Sequence, residues 1–284
     1  MALAMKISDA LEMFLLHLDA NGRSAHTRAQ YARHVRMLDA SLGEIEIDDV
    51  DHVAVARFLT SPAVREKRGG GPRKATSANG LRSSLRTFFA WVHAAGYAPR
   101  NAAALVQRAR CGPPLPRSLI PADQERLLDI LRREDGGRDH ALFHLLLGAG
   151  LRIGSALALE VGDIDLEQGE VRVRRAKGNR PTMTPLARDV RDHLQAYIAG
   201  RTEGPLFPAM SPRHANRRLK YWLARAGVRA PASCHSLRHG FAMRIYAKTG
   251  DLLLTQAALA HASSASTAQY ARCDRERLRA ALGA

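Results

Sequence analysis

Six side chains in the second half of the chain are of types that could act together on an anion: Arg152, Lys177, His235, Arg238, His261 and Tyr270. Arg152 follows Gly148 and Gly150 in GAGLRIGSALAL, and Lys177 stands in RAKGNR. His235 and Arg238 lie three positions apart in HSLRHGFA, on one face of a helix. His261 and Tyr270 share LAHASSASTAQYARC, residues 259–273, whose alanines and serines could hardly bury an aromatic ring. An exposed tyrosine oxygen is a nucleophile, guanidinium forks hold anionic oxygens at any working pH, and imidazole and ammonium groups move protons. Each fragment alone is unremarkable. An arginine at a helix start is normally a surface residue, an H-x-x-R-H triplet arises by chance, and a tyrosine near a chain end is more often core than catalyst.

The whole chain suits an anionic partner. Its 284 residues carry 43 Lys and Arg against 27 acidic residues, a formal charge of +16. The charge is not a tail, because residues 1–110 hold 16 basic and 10 acidic residues and the remainder 27 and 17. DNA or RNA is the simplest polyanion, gripped from two sides. The three cysteines, Cys111, Cys234 and Cys273, are widely spaced with no CxxC, which argues against a disulfide framework or a zinc site. No apolar run reaches membrane-spanning length, and the first stretch is broken by Asp9 and Glu12, so it reads as an amphipathic helix. A cytoplasmic, nucleoid-associated protein is expected, with no membrane partner.

The elements that must position the six groups follow from hydrophobic period and punctuation. Four helices are predicted in residues 1–110. The first has Leu11, Phe14, Leu15 and Leu18 at helical spacing, with Ser8 as N-cap and Gly22 beyond its end. The second, SAHTRAQYARHVRMLDASLG, sets Tyr31, Val35 and Leu38 on one face and leaves Arg28, Arg33 and Arg36 for water or phosphate. DDVDHVAVARFLTS is the third and SANGLRSSLRTFFAWVHAAG the fourth. Between them REKRGGGPRK, half basic and including Lys74, is either a flexible loop or a phosphate contact. Proline-rich residues 111–119 form a linker, and 120–284 a second domain. There, helices are expected at 121–134, 138–149, 152–160, 187–199, 211–226, 236–248, 252–260 and 264–272, with a last short one in 275–284. GEVRVRRAKGNRPTMTPL alternates apolar and basic residues around a KGN turn and reads as a hairpin.

In this order and spacing, GLRIGSALALEVGDIDLE, the hairpin lysine, HSLRHGFA, LAH and the tyrosine resemble the tyrosine recombinase (phage integrase) family over nearly all of residues 115–284. The resemblance implies a mostly α protein: a helical, SAM-like core-binding domain and an α-rich catalytic domain with a small β-hairpin or sheet, closed as a clamp around DNA. Arg152 and Arg238 would be the catalytic arginines, Lys177 the hairpin lysine, His235 and His261 the active-site histidines, and Tyr270 the nucleophile. Such an enzyme cuts and rejoins DNA through a covalent 3′-phosphotyrosine and needs no metal, nucleotide or other cofactor. Because the chain begins almost directly with the core-binding helices, an Xer-like or mobile-element enzyme is expected, acting on inverted-repeat sites as a homo- or hetero-tetramer joined through residues 275–284. Two departures stand out: Ser155 occupies a position where the family usually has Glu or Asp, and LAH replaces LGH. Two other classes remain open, a DNA-binding accessory protein that has lost catalysis and a DNA-relaxing enzyme of the type IB topoisomerase kind.

Outside that set, Arg213, Arg217 and Lys220 recur at i, i+4 and i+7, a stripe suited to phosphates or equally to water. His140 and His144 in HALFH have the spacing of a zinc peptidase helix, but Ala141 stands where glutamate is required and no third ligand is apparent, so both are read as structural.

Overall fold

The structure is a computed structural model, and residues 5–67, 69–111, 118–135, 137–174 and 181–259 are described. The chain divides into two compact units, Met1–Pro113 and Pro114–Ala284.

The first unit is helical. Helices α1 (Ile7–Ala20), α2 (Ala25–Leu42), α3 (His52–Thr60), α4 (Pro62–Arg65) and α5 (Ala75–Ala94) enclose one core. Phe14 of α1 stands edge-on to Phe88 of α5 at 5.5 Å, with Val35 and Leu38 of α2 fully buried beside them. Each such side chain contributes about 1.5–3 kcal/mol by leaving water. The N-cap of α1 is Lys6 and not Ser8, because the Asp9 carboxylate reaches back to accept the Lys6 backbone N–H at 3.4 Å. Ser24 caps α2, accepting from the Thr27 N–H. The glycine-rich loop is anchored from within. Arg73 donates to the carbonyls of Ala63 and Glu66, and this inward use of a basic residue also supports α4, which the sequence reading did not foresee. Asn79 exchanges two hydrogen bonds with Ala109, tying the stretch just before the linker to α5.

The second unit is built around α7 (Arg138–Ala149), nine of whose twelve residues are buried. Helices α6 (Pro121–Glu134), α9 (Arg188–Ile198), α10 (Pro212–Arg225) and α11 (Cys234–Thr249) pack on it. Buried Asp139 locks α7 to α10 by accepting from the Trp222 indole N–H at 2.8 Å and from Arg218. Burial alone would raise the Asp139 carboxyl, but these hydrogen bonds and the charges of Arg218 and Arg138 hold it below the usual carboxylate range. The helix expected at 152–160 is shorter, α8 (Ile153–Leu157). Beyond it Glu160 pairs with Pro205 and a 3₁₀ turn covers Val161–Asp163, since the Glu160 N–H is taken by the Asp163 carboxylate. Strands β1 (Ile164–Asp165), β2 (Glu170–Val173) and β3 (Thr182–Pro185) form an antiparallel sheet in the order β1-β2-β3. The hairpin is therefore present, but its last pair is Val173–Thr182, so the connection is longer than a tight KGN turn. The last described helix is α12 (Leu252–Ala258), and the expected helices at 264–272 and 275–284 lie outside the described residues.

Candidate active site

Arg152 is presented by the turn that ends α7. Gly150 closes that helix in the left-handed conformation (φ +62°), and a methyl group there would stand 2.2 Å from the Phe241 ring. Gly148, the penultimate residue of α7, lies so near α9 that a methyl would stand 2.2 Å from Val190 Cγ2. A helix end leaves carbonyls without partners, and α11 supplies them. Arg244 donates to the Leu147 carbonyl at 2.6 Å, and Arg238 donates to that of Gly150. Arg152, next in line, is the N-cap of α8 and is half-buried.

The start of α11 carries the second cluster. Asn216 of α10 accepts the Cys234 N–H at 3.0 Å, and Ser236 accepts that of Ser233 at 3.1 Å, so the first turn is capped from two directions. The helix begins at Cys234, two residues before the expected start. Arg238 is 3% exposed and donates to the Leu259 carbonyl at 2.6 Å as well as to Gly150. His235, exposed at the outer turn, has its pKa lowered by lost hydration and then by the charges of Arg238 and Arg152. His239 packs edge-on to it at 4.4 Å and is pushed down to about 4 by burial, His235 and Arg238.

Arg152 and Arg238 line one small cleft with Ser155, Thr182, Thr184 and Leu259. Among the described residues lining it there is no carboxylate. Val173 and Thr182, the paired residues nearest the hairpin connection, also line it, and Leu259 is two residues before His261. Lys177, His261 and Tyr270 themselves lie outside the described residues. Of the candidate DNA contacts, Arg213, Arg217 and Lys220 are exposed along α10, opposite buried Ala215, Leu219 and Trp222. Lys74 is exposed at the N-cap of α5. Arg28 is not left to solvent as the spacing suggested, because it pairs with Asp19 of α1. Sequence reasoning missed Arg244, Thr182 and Thr184. The threonines follow from strand register and Arg244 from helix packing, neither of which a local motif encodes.

A helical N-terminal unit followed by a mixed unit whose cleft gathers two arginines is the architecture of the site-specific DNA recombinases. The model of the phage integrase family matches residues 117–277, and that of its N-terminal SAM-like domain matches 11–96. The chain belongs to the phage integrase family, the tyrosine recombinases. It is 32% identical to tyrosine recombinase XerC of Rhodospirillum centenum over 95% of this chain and 84% of that protein. Its fold is that of a XerH site-specific recombinase in a post-cleavage complex with a palindromic difH substrate (TM-score 0.74, 21% identity, covering 98% of this chain and 84% of the other). It is equally that of a lambda integrase tetramer bound to a Holliday junction (TM-score 0.75, 20% identity, covering 94% and 78%).

Proposed function

We propose that this protein is a site-specific recombinase that cleaves and rejoins DNA strands through a 3′-phosphotyrosine on Tyr270. The observation that carries this reading is the meeting of Arg152 and Arg238, from separate helices, in a cleft bounded by the hairpin strands and by the residue that leads to His261. Tyr270 Oη attacks the backbone phosphorus, and the bond from phosphorus to the departing 5′-oxygen breaks. Lys177 protonates that oxygen, and His235, kept in its neutral form, accepts the tyrosine proton. Arg152, Arg238 and the His261 N–H hold the non-bridging oxygens as charge builds. Attack by a 5′-hydroxyl from a partner strand reverses the step and restores the tyrosine, so bond energy is conserved and no nucleotide is consumed.

The substrate is double-stranded DNA with inverted-repeat sites, contacted through Arg213, Arg217, Lys220 and Lys74. A tetramer linked by residues 275–284 performs the exchange in the cytoplasm on nucleoid DNA. The palindromic substrate of the XerH complex and the tetramer of lambda integrase support that arrangement. No described helix is long and apolar enough to cross a membrane. Incubation with a suicide DNA substrate should trap a covalent adduct that Tyr270→Phe abolishes, and an adduct that survives this change refutes the reading. Supercoiled plasmid should recombine only when it carries paired sites, whereas relaxation without them would make the protein a topoisomerase.

A further inference from the structure

Three histidines meet between α7 and α9, away from the cleft. His140 and His144, one turn apart on α7, have parallel rings with centroids 5.6 Å apart. His193 of α9 lays its ring 3.7 Å from that of His140 and 5.8 Å from that of His144. Asp189, one turn before His193, accepts a hydrogen bond from His144 Nε2 at 3.0 Å. With the proton on Nε2, His144 Nδ1 is left as a bare lone pair. That atom, His140 Nδ1 and His193 Nε2 are all buried without a hydrogen-bond partner among the described residues, and they are three of the six side-chain atoms there in that condition. His140 itself is only 4% exposed.

Unpaired buried nitrogens are costly, and three on facing rings call for one shared partner. We propose that this cluster is a divalent transition-metal site of the zinc class, ligated by His140 Nδ1, His144 Nδ1 and His193 Nε2. Asp189 orients His144 as the outer carboxylate of a carboxylate–histidine–metal triad. Neutral imidazole is a borderline donor suited to zinc, cobalt or nickel. As the rings stand, the three nitrogens do not all lie within 4.8 Å of one another, and the ion must draw them in to bonds of about 2.0–2.1 Å. That requires the rings to turn about χ2, a broad torsion, and exposed Asp189 marks the open edge through which an ion enters. The site would join α7 to α9 across the same helix pair in which Gly148 meets Val190. It stands apart from the recombinase reading and does not depend on it.

The test uses the untagged full-length chain, stripped with a chelator and titrated with Zn²⁺ by calorimetry and with Co²⁺ by visible absorption. One equivalent should bind saturably, with ligand-field bands of a nitrogen-ligated Co²⁺ centre. His193→Ala and His144→Ala should each weaken binding by about 100-fold or more, and Asp189→Asn by about tenfold. Zn²⁺ should raise the Tm of the wild type and not that of His193→Ala. Asp48→Asn, in the acidic trio Glu46, Asp48 and Asp49 of the first unit, should leave uptake unchanged. If His193→Ala does not fold by circular dichroism, His193→Gln takes its place. The proposal is overturned if no stoichiometric uptake occurs, or if uptake is the same in wild type and histidine variants.

Discussion

Arg238 does two jobs that its neighbours do not share. A guanidinium has five N–H donors in a rigid fork, and here two directions go to the carbonyls of Gly150 and Leu259. Those carbonyls belong to the two chain segments that lead to Arg152 and to His261. Removing Arg238 therefore disturbs the site's construction as well as its charge, whereas the Arg152 side chain, though its residue is the N-cap of α8, makes no capping hydrogen bond there. Arg152→Ala should lower the cleavage rate on a suicide substrate by about 10²–10³-fold with an unchanged Tm. Arg238→Ala should lower both, as single-turnover kinetics and thermal melting would show. Asp139 is a structural counterpart in the same unit. Asp139→Asn leaves Arg218 without its counter-charge and should cost about 2–3 kcal/mol in urea unfolding, at or below the ~3–5 kcal/mol of a fully buried broken pair because Arg218 is partly exposed.

At the scale of elements, the end of α7 and the outer face of α10 can each be perturbed singly. Gly150→Ala must adopt a left-handed backbone and displace the Phe241 ring, so a loss of about 2–4 kcal/mol is expected, with slower cleavage because the turn carries Arg152. A stability loss without any change in cleavage would show that the turn does not position the arginine. On α10, one face is buried and the other presents Arg213, Arg217 and Lys220. If Arg217 meets a phosphate, Arg217→Ala should flatten the slope of log affinity against log salt by about 0.9. An unchanged slope removes the stripe from the DNA interface. Helix existence and type were legible from period and caps, while boundaries moved where a cap was completed locally, as by Asp9 at the start of α1, or from another helix, as by Asn216 at the start of α11.

At the scale of the molecule, each unit has a core of its own. In the first, His34 is a buried titratable group. Arg33 donates to its Nε2 at 3.3 Å, so the ring proton sits on Nδ1 and goes to Ser84 Oγ at 2.8 Å, whose own hydroxyl reaches the Gly80 carbonyl. Burial, then the charges of Arg33 and Arg73, lowers its pKa to about 4. In the unfolded chain the same histidine takes up a proton below about pH 6.5. The unfolded state thus binds more protons between about 6.5 and 4, and stability falls as pH drops through that window, by on the order of 1–3 kcal/mol in all. Hydrogen exchange of α2 and α5, corrected for intrinsic rates, should show less protection at pH 5 than at pH 7. His34→Asn, which keeps a donor for Ser84 but cannot titrate, should reduce that difference, and an equal difference in the variant would show that other groups cause it.

By itself the sequence determined the two-part helical layout, the basic charge on both parts and the set of groups able to handle a phosphate. Helical period, caps and short motifs are written within a few residues, and neighbouring side chains on one turn must lie together. Only the tertiary structure decided that Arg152 and Arg238 share one cleft, that Arg28 is held by Asp19, and that His193 and Asp189 join the histidine pair of α7. Those meetings depend on which helices pack and in what register. Packing is set by the shape and volume of the whole core, and no short stretch of residues contains that information.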